Sequence, residues 1–132
     1  MLSYPNTPAI RQIGLVLFWL AMVFAVTMAL LPHPPALPID SLGDKFEHSL
    51  AFATLTVLGT FAFPAMPRWR LVERLSFLGA LIEVVQSVPE LHRDCDIRDW
   101  IADTLAIVAA TLVLMVWREM SRKCVSNTDS FD

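Results

Sequence analysis

Three short polar groups interrupt an otherwise apolar chain: Asp44, Lys45 and His48 in DKFEH, Glu83 and Gln86 in IEVVQ, and Arg93, Asp96, Asp99 and Asp103 in HRDCDIRDWIAD. On helices, Asp44 and His48 stand at i,i+4 and Glu83 and Gln86 at i,i+3. Asp96, Asp99 and Asp103 follow i,i+3,i+7 if their helix extends upstream, so each group shares one face. Asp96, Asp99 and Asp103 with Glu83 offer hard oxygen ligands, and Asp99 and Asp103 are the candidate pair for Mg²⁺. His48 carries the side chain able to exchange a proton near pH 7, which makes it a candidate acid or base beside Glu83, Asp99 and Asp103. Lys45 and Arg93 suit a phosphate or carboxylate, the guanidinium bidentately. Asp44, Gln86 and Asp96 complete the candidate ligand-binding set.

The elements that position these groups follow from composition. The 132 residues are 55% hydrophobic and 17% charged, with a mean hydropathy of +0.55. That argues against a water-soluble domain. A bilayer span takes about 20 apolar residues, and four such runs fit, at about 12–31, 46–63, 71–88 and 100–117. Prolines punctuate them: Pro32, Pro34, Pro35 and Pro38 after the first, Pro64 and Pro67 after the second, Pro89 after the third. The first run exceeds a signal-peptide core and lacks an A-x-A site, so it reads as an uncleaved anchor. Trp100 and Trp117 bracket the fourth and read as an aromatic belt. Residues 124–132 form a polar, unstructured tail in this reading.

Charge sets the orientation. Seven of the ten basic residues (Arg11, Arg68, Arg70, Arg74, Arg118, Arg122 and Lys123) fall on one side of a four-span arrangement. The positive-inside rule makes that side, with both termini, cytoplasmic. Nine of the thirteen acidic residues and all three histidines fall on the other. No lysine or arginine run of a nucleic-acid binder is present. Cys95 and Cys124 are assigned to opposite sides, so no disulfide joins them. The fold class is an all-α integral membrane protein, a four-transmembrane-helix bundle in the cell (inner) membrane.

Inert roles compete with these chemical ones. Asp44 and Asp99 near helix starts suit capping and the helix dipole, and Asp94 and Asp96 suit a solvated surface loop. Glu83 has no such reason to lie inside an apolar run. A helix-centre acid is disfavoured there by about 2.5–3.5 kcal/mol, so it needs a partner, with Lys45, Arg93 and Arg98 as the candidate cations. His48, Glu83 and Asp103 each lie ~5–8 Å below the outer helix ends, at 1.5 Å per residue, and can meet at one depth. The small and polar stripe Ser76, Gly79, Glu83 and Gln86, with Ala102, Ala106 and Ala110, allows close helix approach.

These motifs resemble the VanZ-like family: D-K-x-x-H opening one span, E-x-x-Q closing the next, and R-x-x-D-x-x-D-W-x-A-D-T over Arg93 to Thr104, covering Asp44 to about Val113. The chain has His92-Arg93 where that family often has Gly-Arg, and Asp103-Thr104-Leu105-Ala106 where it has Asn-Thr-x-Gly. The resemblance implies a small cell-envelope membrane protein, in a family whose founding member is linked to teicoplanin resistance. The expected function is an outward-facing polar pocket that binds a lipid head group or amphiphile. The alternative is a Mg²⁺-dependent enzyme acting on a lipid-linked phosphate at the outer leaflet. An ion-coupled carrier fits less well, because the acids do not continue across the membrane. In intact cells or spheroplasts, a membrane-impermeant thiol reagent is expected to label Cys95, and Cys124 only after lysis. The reverse pattern would put the polar groups on the cytoplasmic face.

Overall fold

Proline and glycine place the helix boundaries. In the computed structural model, which describes residues 8–32, 35, 38, 43–91 and 95–128, the chain is an all-α four-helix bundle: α1 (Pro8–Leu30), α2 (Asp44–Ala62), α3 (Arg68–Gln86) and α4 (Ile97–Thr128). Pro8 opens α1, where its missing N–H costs nothing. Gly43 precedes α2 at φ 94°, a conformation that a side chain would strain. Its carbonyl accepts the Phe46 and Glu47 N–H groups at 3.0 and 3.3 Å, which sets Asp44 and Lys45 in the first turn of α2. Pro67 starts α3 in the same way, its carbonyl accepting Arg70 N–H at 3.0 Å. A short 3-10 helix (Pro89–Leu91) follows α3. The expected unstructured tail is partly helical, because α4 continues without a helix breaker to Thr128.

The directions of the helices follow from which ends touch. Gly14, near the start of α1, lies against the backbone of Ala62 at the end of α2. Gln86 at the end of α3 reaches the carbonyl of Ala29 at the end of α1. Lys45 at the start of α2 reaches Asp99 at the start of α4. The chain therefore runs up, down, up, down. The end of α1, the start of α2, the end of α3 and the start of α4 gather at one pole, and the Arg68 turn lies at the other. α2 is the central element, packed on α1 and α4, while α3 leans mainly on α4.

Burial is inverted relative to a protein in water. Inside, apolar residues such as Leu55, Leu75 and Ile107 share space with His48, Thr56, Thr60, Glu83, Gln86, Asp99, Asp103 and Thr111. Outside stand Leu20, Phe24, Phe77, Leu105, Val113 and Met120, and more large apolar side chains are exposed than buried among the described residues. The buried threonines satisfy their hydroxyls on their own helices. Thr56, Thr60 and Thr111 donate to the carbonyls four residues back, at 2.8, 2.9 and 2.8 Å. Two helices, Pro8–Leu30 and Ile97–Cys124, are long and apolar enough to cross a membrane.

Glycines let the helices close up. A Cβ on Gly14 would lie 3.3 Å from the backbone nitrogen of Ala62, which cannot step aside without moving α2. At Gly59 the nearest obstacle is the Leu71 Cδ1 methyl at 2.9 Å, which can rotate. Gly14→Leu is thus expected to destabilise the protein by about 1–3 kcal/mol through overpacking. Gly59→Ala should cost less. Thermal unfolding in detergent, followed by circular dichroism, checks this ranking.

Candidate functional site

The gathered pole of the bundle holds most of the polar groups singled out in the sequence. Asp96 caps α4: its Oδ1 accepts the Arg98 N–H at 2.9 Å and its carbonyl accepts the Asp99 N–H at 2.8 Å. The Asp96 N–H donates to Glu83 Oε2 at 3.0 Å, which ties the end of α3 to the start of α4. Asp96 Oδ2 accepts Lys45 Nζ at 2.9 Å, and the same ammonium grips Asp99 Oδ1. The Lys45 side chain is 53% exposed and that of Asp99 only 11%, so the ammonium covers a buried acid from the solvent side.

Beneath that clamp lie His48 and Asp103, with Nδ1 and Oδ2 3.9 Å apart and both residues buried. Glu83 is 6% exposed, and its Oε1 has no hydrogen-bond partner. Gly79 leaves the neighbouring face open. A Cβ there would come 3.5 Å from Phe52 Cζ and Trp100 Cδ1, and 3.8 Å from Asp103 Oδ2. The Trp100 Nε1–H is shared between the Ser76 carbonyl at 3.0 Å and Ser76 Oγ at 3.2 Å. Ser76 Oγ also pairs with Thr104 Oγ1 at 2.8 Å. The half-buried Trp100 indole N–H thus finds two acceptors on Ser76. Trp117, at the other edge, remains exposed.

His48, Glu83, Asp99, Asp103, Lys45 and Asp96 are thus brought together. Gln86 donates an Nε2–H to the Ala29 carbonyl at 2.9 Å, one of the C-terminal carbonyls of α1 that lacks an intrahelical partner. Asp44 is the first residue of α2, and Arg93 lies outside the described residues. Of the cations expected to partner Glu83, Lys45 pairs with Asp96 and Asp99 instead, and Arg93 falls outside the described residues. Lys45 sits at the exposed rim, while Glu83 is buried and receives a backbone N–H instead. Among the described residues, no group of three or more His, Cys, Asp or Glu is arranged to hold a metal ion. At Asp99 the cation is Lys45. Sequence reasoning passed over the buried hydroxyls of Thr56, Thr60 and Thr111; the signal was the spacing of four between the first two, on the helix face that carries Phe52.

Ionisation at the rim follows the geometry. Hydrogen bonds from Lys45 to Asp99 and then to Asp96 hold the ammonium above its ordinary range. The Lys45 bond, followed by the Arg98 N–H, holds Asp96 below the usual carboxylate range. Partial desolvation and then the charge of Glu83 push the Cys95 thiol up, which leaves it a poor nucleophile.

No protein-family model, no curated protein and no solved structure matches the chain. The arrangement itself is an acid-rich pole whose exposed rim carries the Lys45 ammonium between Asp96 and Asp99, with the buried His48 and Asp103 3.9 Å apart beneath it.

The pH dependence of the clamp has a defined sign. A depressed Asp96 stabilises the fold above its ordinary value of 3.8, and this is lost as pH falls through the lower folded value. A raised Lys45 stabilises it below 10.5, and this is lost as pH rises through the higher folded value. The difference in melting temperature between wild type and Lys45→Met is therefore expected to be constant between those two values and to shrink on acidification below 3.8. A difference that grew in acid would contradict the clamp.

Proposed function

We propose that this chain is a four-span membrane protein of the VanZ-like kind that binds the head group of a lipid or amphiphile in the polar pole of its bundle. That pole faces outward from the cell (inner) membrane, with both termini cytoplasmic. The observation that supports this most is the inversion of burial: His48, Glu83, Asp99 and Asp103 inside, Leu20, Phe24, Leu105 and Val113 outside. In water, so much contiguous apolar surface would drive association, whereas a lipid phase solvates it. The 19 residues each of α2 and α3 span about 28 Å at 1.5 Å per residue, close to the ~30 Å of a hydrocarbon core. The arginine-bearing ends lie at the pole opposite the acids, as the positive-inside rule requires of a site on the outer face.

Polar side chains one to two turns below the helix ends would lie near the head-group boundary, where an amphiphile can stay in the bilayer while its polar part reaches the protein. Following the VanZ-like resemblance, a lipid-tailed glycopeptide of the teicoplanin kind is one amphiphile this reading admits. A second reading is favoured by the contact between His48 and Asp103: acid–base chemistry on a lipid-linked phosphate, with the imidazole as the proton carrier and Mg²⁺ as an added cofactor.

Protein in nanodiscs offered a panel of labelled envelope lipids, with and without Mg²⁺, separates these readings. Selective retention of one head-group class by wild type, lost in Asp103→Asn at unchanged helical content, is the expected outcome. Turnover of the lipid would favour the enzyme, and neither retention nor turnover would sink both readings.

A further inference from the structure

Three carboxylates, on Glu83, Asp99 and Asp103, are buried at one pole of the bundle, with Asp96 at the rim. An ionised carboxylate accepts hydrogen bonds and donates none, so such a group calls for donors and for positive charge. Lys45 answers part of that need by bridging Asp96 and Asp99. Glu83 stands apart. Its Oε2 takes the Asp96 N–H, but Oε1 is buried with no hydrogen-bond partner, in a residue more than nine-tenths buried. The charged groups that act on it are Asp99, His48 and Asp103. A buried acceptor left unmet is costly, and here it lies next to the acid that Lys45 covers.

We propose that the pole is a receptor for a primary ammonium group carried on a membrane head group, which displaces the Lys45 ammonium and donates to Asp99 and to Glu83 Oε1. This rests on the head-group reading above and names the chemical class of the ligand. Four features carry it. The Lys45 ammonium already occupies an ammonium position at Asp99, so the site's geometry for that group is present. Its side chain is half exposed on a flexible four-carbon stem, so it can leave at small cost. A primary ammonium brings three N–H donors, whereas a trimethylated one brings none and would leave Glu83 Oε1 unmet. Finally, among the described residues Glu83, Asp96, Asp99 and Asp103 outnumber Lys45, His48 and Arg98, so an anionic head group lacking an amine is disfavoured. Arg98, exposed at the rim on the first turn of α4, is placed for the phosphate of a zwitterionic head group.

The test uses the full chain in detergent and in phosphatidylcholine nanodiscs. Methylammonium is expected to raise the melting temperature, while tetramethylammonium at the same ionic strength should not. Lys45→Met, which removes the tethered competitor, should lower the melting temperature in buffer and be restored by methylammonium alone. Glu83→Gln, whose amide supplies its own donor, should weaken methylammonium binding by about tenfold to a hundredfold, the worth of a charged hydrogen bond. In the lipid arm, phosphatidylethanolamine should be retained over phosphatidylcholine and phosphatidylglycerol. Stabilisation by methylammonium without retention of phosphatidylethanolamine would show a soluble amine to be the ligand and overturn the head-group source. Retention of phosphatidylglycerol over phosphatidylethanolamine would leave head-group binding standing and overturn the ammonium assignment. Equal effects of the two ammonium ions on wild type would also overturn it, even if Lys45→Met does not fold.

Discussion

Asp96 bonds to three helices at once, and the candidate site depends on it. Its N–H fixes the Glu83 carboxylate of α3, its Oδ1 starts α4, and its Oδ2 takes Lys45 of α2. The cap decides where α4 begins, and that start decides the register that turns Asp99, Asp103, Ile107 and Thr111 inward at intervals of four. A shift of one residue would rotate this stripe by about 100° and present acids to the exterior. The same residue thus serves as a helix cap, a tie between helices and part of a polar site. Its inert and functional roles reinforce each other.

Around that node the bundle closes its backbone with side chains borrowed from neighbouring helices. Gln86 covers a carbonyl at the end of α1, and Arg68 reaches the Thr60 carbonyl near the end of α2 at 3.4 Å. The threonines return their hydroxyls to their own helices. Where water is scarce, polar groups need protein partners, and this chain meets the need mostly with local or end-to-end contacts. Glu83 Oε1 departs from that pattern and draws attention for that reason. The close contact of α1 with α2 at Gly14, and the edge-to-face packing of Phe18 on Phe63 at 5.2 Å, hold the interior of the opposite pole by close packing, with the Arg68 contact and the other arginines around it. The interior of one pole is therefore packed and that of the other is charged.

The electrostatics of the charged pole depend on depth. At the rim, Lys45 and Asp96 are hydrated and screened, and their pairing is readily exchanged. A turn further in, Asp99, Asp103, Glu83 and His48 are buried, where each contact with a cation or donor is stronger and each unmet group more costly. An exchangeable cover over a demanding interior is what the proposed head-group site would use.

Much of this could be read from residue order. The four apolar runs, the prolines between them and the excess of basic residues on one side point to four helices with most acids and His48 at one pole, because period and charge placement are local properties. The spacing also put Glu83 and Gln86 on one face, whereas the cap that Asp96 forms was not read from it. Only tertiary structure decided the partners. Lys45 could reach several acids, and it is the meeting of α2 with α4, more than with α3, that gives it to Asp96 and Asp99. The same docking gives the Trp100 indole N–H to Ser76 and a Gln86 amide N–H to the end of α1. A sequence ranks which groups need a partner, since that depends on their own chemistry. Which partner arrives depends on which helices touch, and that is settled by close packing at positions such as Gly14 and Gly79, whose small size leaves many pairings open until the whole bundle closes.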